Sequence, residues 1–320
     1  MPGRTLRVTV GTVTGSTVPE FTPGAVKPVG ASNVGAGILG AMPTTTITNG
    51  TGVSISGQVC TISAGTTVTD KVIPYFVNLG DGAVLHNCKV TGPATEQATS
   101  RAIVQGPTSG LAAIEWCTIA PQTPSSYYDG AGAYNLSVSY CDIHDITDGI
   151  RAYNTSGAPV NITVNATHIH DLCQFMPDVA NSRTITHNDG CQLQGSTGTL
   201  GDTDVLFVGC NIEARRSPSS GNATSTQPDN VAALMLTPNV GHLKVAFRNG
   251  WLSGGVATVN AGADTLTSTS RLEITNTVFE KPGTVSDSPS YALLVQSGLT
   301  TVFSGNTYES DGTAVGVTNG

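Results

Sequence analysis

Short runs in which apolar and polar residues alternate recur along most of the chain, and they resemble one another. Two passes between Tyr140 and Gly195 show this best. The first reads Cys141-Asp142-Ile143-His144-Asp145, then Asp148-Gly149-Ile150-Arg151-Ala152-Tyr153-Asn154. The second reads Thr167-His168-Ile169-His170-Asp171, then Asp189-Gly190-Cys191-Gln192-Leu193-Gln194-Gly195. A period of two marks a strand with one buried face. Each pass therefore predicts two short strands joined by a turn.

Weaker copies extend the pattern from Thr44 onward. The first strand returns as Asn87-Cys88-Lys89-Val90, Trp116-Cys117-Thr118-Ile119, Gly209-Cys210-Asn211-Ile212, Asn276-Thr277-Val278-Phe279 and Asn306-Thr307-Tyr308. Asn249-Gly250-Trp251-Leu252 is a looser copy. The second strand returns at 102–104, 130–135, 231–236, 255–260, 291–296 and 313–318. The unit is about 25 residues long, with two longer excursions, and carries no leucine-rich pattern. One such coil cannot bury its inner face alone, so the stack is the folding unit. The expectation is an all-β, single-stranded parallel β-helix of about eight coils over residues 43–320, right-handed by the usual rule for parallel crossovers. A β-sandwich fits less well, because the copies share a direction and Asn-Gly hairpin turns are few.

Residues 1–42 differ. A single strand-like run at 4–10 is followed by Pro19, Pro23, Pro28 and a Gly/Ala-rich stretch at 29–40. Proline and glycine oppose regular structure there, which predicts an extended arm.

Composition narrows the function classes. Only 11% of the 320 residues are charged and 38 are glycine, as expected for many short strands and tight turns rather than helices. The net charge of −8 and pI near 5.1 leave no basic stripe for nucleic acid. No apolar run approaches the roughly 18 residues of a membrane span. No apolar segment of the secretory kind follows Met1, so the expectation is synthesis in a cytoplasm with reduced thiols. Four of the seven cysteines, Cys88, Cys117, Cys141 and Cys210, fall at one place in their copies, where Thr167, Thr277 and Thr307 stand elsewhere. Equivalent inward residues of neighbouring coils stack about 4.8 Å apart, which predicts an interior file of small side chains. Cysteine spacing of the metal-binding kind is missing, and neither a metal, a disulfide nor a cofactor is expected.

If Cys141 and Ile143 point inward, their neighbours point out. That places Asp142, His144, Asp145, Asp148, Arg151, His168, His170, Asp171, His187, Asp189, Gln192 and Gln194 on two adjacent coils, with the excursion at 173–186 as a wall. Carboxylates, amides and arginine suit the hydroxyls of a sugar. The expected ligand-binding set is Asp142, His144, Asp148, Arg151, His168, His170, Gln192 and Gln194. His170, Asp171, His187 and Asp189 are the candidates for acid–base work. The plainer alternative is turn chemistry, since Asp before Gly at Asp148-Gly149 and Asp189-Gly190 is an ordinary turn pair. Trp116 and Trp251 are expected as packing residues rather than sugar platforms.

The runs at 148–151, 169–172 and 187–195, with 84–92 and the lead-in at 31–40, resemble a group of right-handed, pectate-lyase-like parallel β-helix proteins of actinobacteria and of the tails of their bacteriophages. The likeness covers about residues 30–215. It implies a minor tail or tail-fibre-like virion protein, made in the host cytoplasm without a signal peptide. It further implies contact with other tail proteins through residues 1–42, contact with host surface polysaccharide and, by analogy, a homotrimer. The wider superfamily also holds lyases and galacturonases. This chain has no Asn-Thr-Asp, Asp-Asp, Gly-His-Gly or Arg-Ile-Lys, nor an acidic calcium cluster with a downstream arginine. A polysaccharide lyase or glycoside hydrolase using the His/Asp face is therefore the alternative expectation.

Overall fold

Alternation along Leu136–Ser139 buries Leu136 and Val138 and leaves both serines half-buried. The chain then turns into Asp142–His144, turns again into Ile150–Asn154, and returns at Val160–Asn165 beside its starting strand. Each of these strands pairs in parallel with its copies in the coils before and after. Val138 lies between Ile114 and Val164. Ile143 lies between Ile119 and Ile169, and Ile150 between Ala131 and Cys191. Among the described residues, sheets I and II, built on Leu136–Ser139 and Asp142–His144, have nine strands each, and sheet III, built on Ile150–Asn154, has eleven. The computed structural model describes residues 27, 29–154, 159–195, 203–215, 231–236, 243–262, 270–283, 289–296 and 299–319.

The fold is thus the expected all-β parallel solenoid, with three strands per coil instead of two. Sheets I and II escape separation in the sequence because only a two-residue turn divides them. Its first residue takes the left-handed conformation in successive coils. It is non-glycine at Asp70, Asn87, Trp116, Tyr140, Ala166, Asn249 and Asn276, with φ of 43–56°, and glycine at Gly209 and Gly305. That conformation disfavours L-residues, and stacking between coils offsets the cost: Trp116 and Tyr140 lie face to face at 4.3 Å, and Asn87 Nδ2 donates to Asp70 Oδ1 at 2.5 Å.

The second residue of the turn points inward and forms the anticipated file. Cys88, Cys117, Cys141, Thr167, Cys210 and Thr277 are all fully buried. The Cys88 amide donates to Cys117 Sγ at 3.3 Å and the Cys141 amide to Thr167 Oγ1 at 3.4 Å. One position differs. Asn306, not Thr307, continues the file, because Gly305 takes the left-handed place and Thr307 pairs with Val278. All seven cysteines are buried and free. Burial pushes the Cys60 thiol up to about 11 and the Cys210 thiol up to about 12.

At one end Val53–Ser56 folds back antiparallel on Val59–Ile62. Residues 29–37 form a strap laid across successive coils on the outer face of sheet II. Gly37 N–H bonds Asn87 Oδ1 at 2.7 Å, Ala36 N–H bonds Thr118 Oγ1 at 3.0 Å and Gly35 N–H bonds the Tyr140 carbonyl at 2.8 Å. Further along, Asn211 Nδ2 donates to the Val29 carbonyl at 3.2 Å. Val29 and Val34 pack against Ala166 and Tyr140. Gly35 sits at φ +94°, where an added Cβ would stand 2.8 Å from Asp142 Cβ. Within the expected arm at 1–42, residues 29–37 are therefore docked and 38–42 are exposed, while 1–26 and 28 lie outside the described residues. Among the described residues, no helix is long and apolar enough to cross a membrane.

Candidate functional site

The polar residues expected on one face fall into two groups, because the chain bends between sheets II and III at Asp145–Thr147. Asp142, His144, Asp145, His168, His170 and Asp171 belong to sheet II and its edge. Asp148, Arg151, His187, Asp189 and Gln192 belong to the bend and sheet III. The Gln194 side chain lies outside the described residues.

On sheet II, pairing sets Asp142 beside His168 and His144 beside His170. His168 and His170 stack at 4.0 Å, and His144 and His170 at 5.1 Å. All three rings surround Asp142. His170 Nε2 lies 3.0 Å from Asp142 Oδ1, His168 Nδ1 lies 3.7 Å from the same oxygen, and His144 Nε2 lies 3.9 Å from Oδ2. Donor atoms of Asp142, His168 and His170 fall within 4.8 Å of one another. Burial opposes a proton on His170, but Asp142 and Asp171 outweigh it and hold the imidazole above its ordinary value. These groups do point out of the solenoid, as expected. The strap, however, lies over Asp142, and both Asp142 and His168 are buried, each with 7% of its surface exposed. A sugar chain has no open access to that pair.

Sequence reasoning missed three members of this group. Glu213 accepts from His168 Nε2 at 3.0 Å, from Asn211 Nδ2 at 2.9 Å and from Lys27 Nζ at 2.8 Å. Burial opposes ionisation of Glu213, but His168 and Lys27 outweigh it and hold the carboxyl well below the usual carboxylate range. A signal was present: Asn211-Ile212-Glu213 is the next copy of Asp142-Ile143-His144 and His168-Ile169-His170.

At the bend, Asp-Gly occurs three times, at Asp129-Gly130, Asp148-Gly149 and Asp189-Gly190. The glycines are required by packing. A Cβ on Gly130, Gly149 or Gly190 would meet the next coil's carbonyl oxygen at 2.5–2.7 Å and an inward isoleucine methyl at 2.2–2.6 Å. The aspartates form a buried ladder. Asp148 Oδ1 accepts the Asp189 amide at 2.9 Å, and Asp189 Oδ1 accepts the Ala232 amide at 2.9 Å. Burial and the neighbouring Asp129 carboxylate push Asp148 up to about 8, against the pull of the Asp189 amide and Arg151. Burial and Asp148 likewise push Asp189 well up. Packing against the next coil, rather than turn chemistry, thus explains the glycines, and the buried carboxyl groups also exceed an ordinary turn pair.

A polar cleft of about 150 Å³ opens over this ladder. Asp129, Asp148, Arg151 and Gln192 form its base, and Asp178, Asn181, Arg183, Thr186 and His187 from the excursion wall it, as expected of that segment. Arg151 Nη1 donates to Asp129 Oδ2 at 2.7 Å. Asp129, Asp178 and Arg183 were not foreseen; the third Asp-Gly pair was the available signal for Asp129. Asp189 is fully buried beneath the cleft. The four candidates for acid–base work consequently do not share a site: His170 and Asp171 flank sheet II, His187 lines the cleft, and Asp189 lies sealed below it.

A larger hollow of about 430 Å³ lies on the outer face of sheet I, over Thr163, Leu206 and Ala246. Its charges largely satisfy one another, Glu273 accepting from Arg248 at 2.6 Å and Arg271 at 3.1 Å, so it offers less unused chemistry than the cleft. Trp251 is buried and packs beneath Lys27, 5.6 Å from the ammonium, as a packing residue should.

What the fold and the cleft define is a class: an all-β parallel solenoid that carries a polar pocket at one bend. The chain matches no protein-family model, no curated protein and no solved structure.

Proposed function

We propose that this chain is a structural component of a phage tail that contacts host surface glycan, with the cleft over Asp148 and Arg151 as the contact surface. The observation that carries this reading is the lining of the cleft. Arginine, carboxyl, amide, hydroxyl and imidazole groups converge on about 150 Å³ of space, walled by an excursion and floored by rigid strands. Donors and acceptors at that density match the hydroxyl pattern of a sugar better than an apolar ligand. The tail setting rests on the resemblance of the runs at 148–151, 169–172 and 187–195 to pectate-lyase-like tail proteins, with which a parallel solenoid is compatible.

Arg151→Gln should weaken binding of host envelope polysaccharide about 10- to 100-fold, the loss expected for one charge-assisted hydrogen bond. Titration of purified polysaccharide into wild-type and variant protein measures this, and washed virions probed for the chain test the tail setting. A folded wild-type protein that binds no host glycan and is missing from virions would sink the proposal.

One observation favours a second reading, a carbohydrate-active enzyme. A carboxyl group raised to about 8 stays protonated at neutral pH, as a general acid must. Asp129 and Asp178 line the same cleft and supply the second carboxylate such chemistry needs. Release of reducing ends or unsaturated products from host glycan, lost in Asp148→Asn, is the result this reading requires.

A further inference from the structure

Each of the three imidazoles around Asp142 has one ring nitrogen on an outer carboxylate. His170 Nδ1 lies 2.8 Å from Asp171 Oδ2, His168 Nε2 lies 3.0 Å from Glu213 Oε1, and His144 Nδ1 lies 2.9 Å from Asp145 Oδ2. An ionised carboxylate only accepts, so in a neutral ring that nitrogen carries the hydrogen. The opposite nitrogen then presents a lone pair. In neutral rings those lone pairs face Asp142 Oδ1, at 3.7 Å from His168 and 3.0 Å from His170, so a proton on His170 or a cation is needed to hold the group together. His168 Nδ1 is the clearest case: its side chain is 9% exposed, and the nitrogen is buried with no hydrogen-bond partner. Buried polar atoms are seldom left so.

We propose that Asp142, His168 and His170 bind a divalent first-row transition ion of the zinc type through Asp142 Oδ1, His168 Nδ1 and His170 Nε2. Two ligands ~2.0–2.1 Å from a tetrahedral metal stand about 3.3 Å apart, and the observed 3.0 and 3.7 Å bracket that separation. Two imidazoles and one carboxylate suit this group of metals rather than calcium or magnesium. The outer carboxylates complete the arrangement, since a metal-bound histidine ordinarily donates its other N–H to such a partner, which fixes ring and tautomer. Glu213 is itself held by Asn211 and by Lys27 at the start of the strap. The ion therefore ties two neighbouring coils together beneath residues 29–37. His144 and His170 remain partly exposed, at 25% and 15% of their side chains, so water reaches the ion from that side and completes its coordination.

The test uses the full chain, stripped with a chelator and titrated with Zn²⁺ against a chromophoric competitor, with Co²⁺ absorption as a second readout. One ion per chain with micromolar or tighter affinity, a d–d spectrum of low-symmetry cobalt and a Tm several degrees higher at saturating zinc are expected. His168→Gln and His170→Gln should each weaken binding by at least about 100-fold, and Glu213→Gln by about 10- to 100-fold, the usual range for an outer-sphere partner. His86→Gln, whose ring pairs with Glu115 elsewhere on the solenoid, should change nothing. The Glu213 variant keeps all three proposed ligands and serves if the histidine variants do not fold. The proposal is overturned if folded wild-type protein retains neither ion at micromolar concentration. It is equally overturned if His170→Gln or Glu213→Gln binds as tightly as wild type, which would leave an Asp142–His170 ion pair and no metal site.

Discussion

Asp148 shows how one side chain can make the molecule sensitive to pH. Its carboxyl is raised to about 8 when folded, above its ordinary 3.8. Between those values the unfolded chain has lost the proton and the folded one keeps it, so stability falls as pH rises through that window. Asp148→Asn removes this dependence while retaining an oxygen for the Asp189 amide. The variant should match wild type near pH 4 and exceed it by a few °C in Tm near pH 8, on the order expected from about 1–2 kcal/mol in a chain of this size. Thermal melts across pH 4–9 check it, and parallel curves would refute it. The thiols behave more simply. With every cysteine buried and the Cys210 thiol pushed up to about 12, a disulfide reagent should titrate essentially none in native buffer and all seven in denaturant. At this scale the sequence was legible for side-chain direction and silent on cover. Alternation about Ile143 and Ile169 correctly turned Asp142 and His168 outward. Nothing in that alternation says that a distant segment lies over them.

Strand by strand, the solenoid depends on places where only hydrogen fits. Gly149→Ala and Gly190→Ala each force a methyl against a carbonyl oxygen and an isoleucine of the next coil. Each should cost about 2–3 kcal/mol in denaturant unfolding. Gly35→Ala combines an unfavourable φ with a contact on Asp142 and should loosen the strap instead, with thermolysin cleavage within 29–42 about tenfold faster and little change in the solenoid. These glycines also mark what the chain discloses and what it hides. Asp-Gly before an alternating run announced sheet III at three coils, at Asp129, Asp148 and Asp189. Sheet I stayed merged with sheet II because its turn begins in successive coils with Trp116, Tyr140 and Ala166, residues whose identity does not advertise a left-handed backbone. The position of Thr307 slipped by one because the glycine at 305 fixes the turn and brings Asn306 into the file. Likewise the bend at Asp145–Thr147 divides side chains that a two-strand coil would keep on one face, so the expected single site became two.

For the molecule as a whole, stacking makes each coil depend on its neighbours, and the strap adds bonds between coils that no single ladder supplies. Removing residues 1–42 should leave the β-sheet circular dichroism in place, lower Tm, and shift Trp251 emission to the red as Lys27 leaves it. An unchanged emission maximum would show that the strap does not cover that face in solution. The excursion between His170 and Cys191 has another consequence. Its strands are tied to their partners on both sides, and residues 178–187 touch the cleft without carrying the core. That segment can be exchanged as a cassette, and on the proposed glycan-binding reading rewriting this one wall would change which sugar is held while the frame stays as it is.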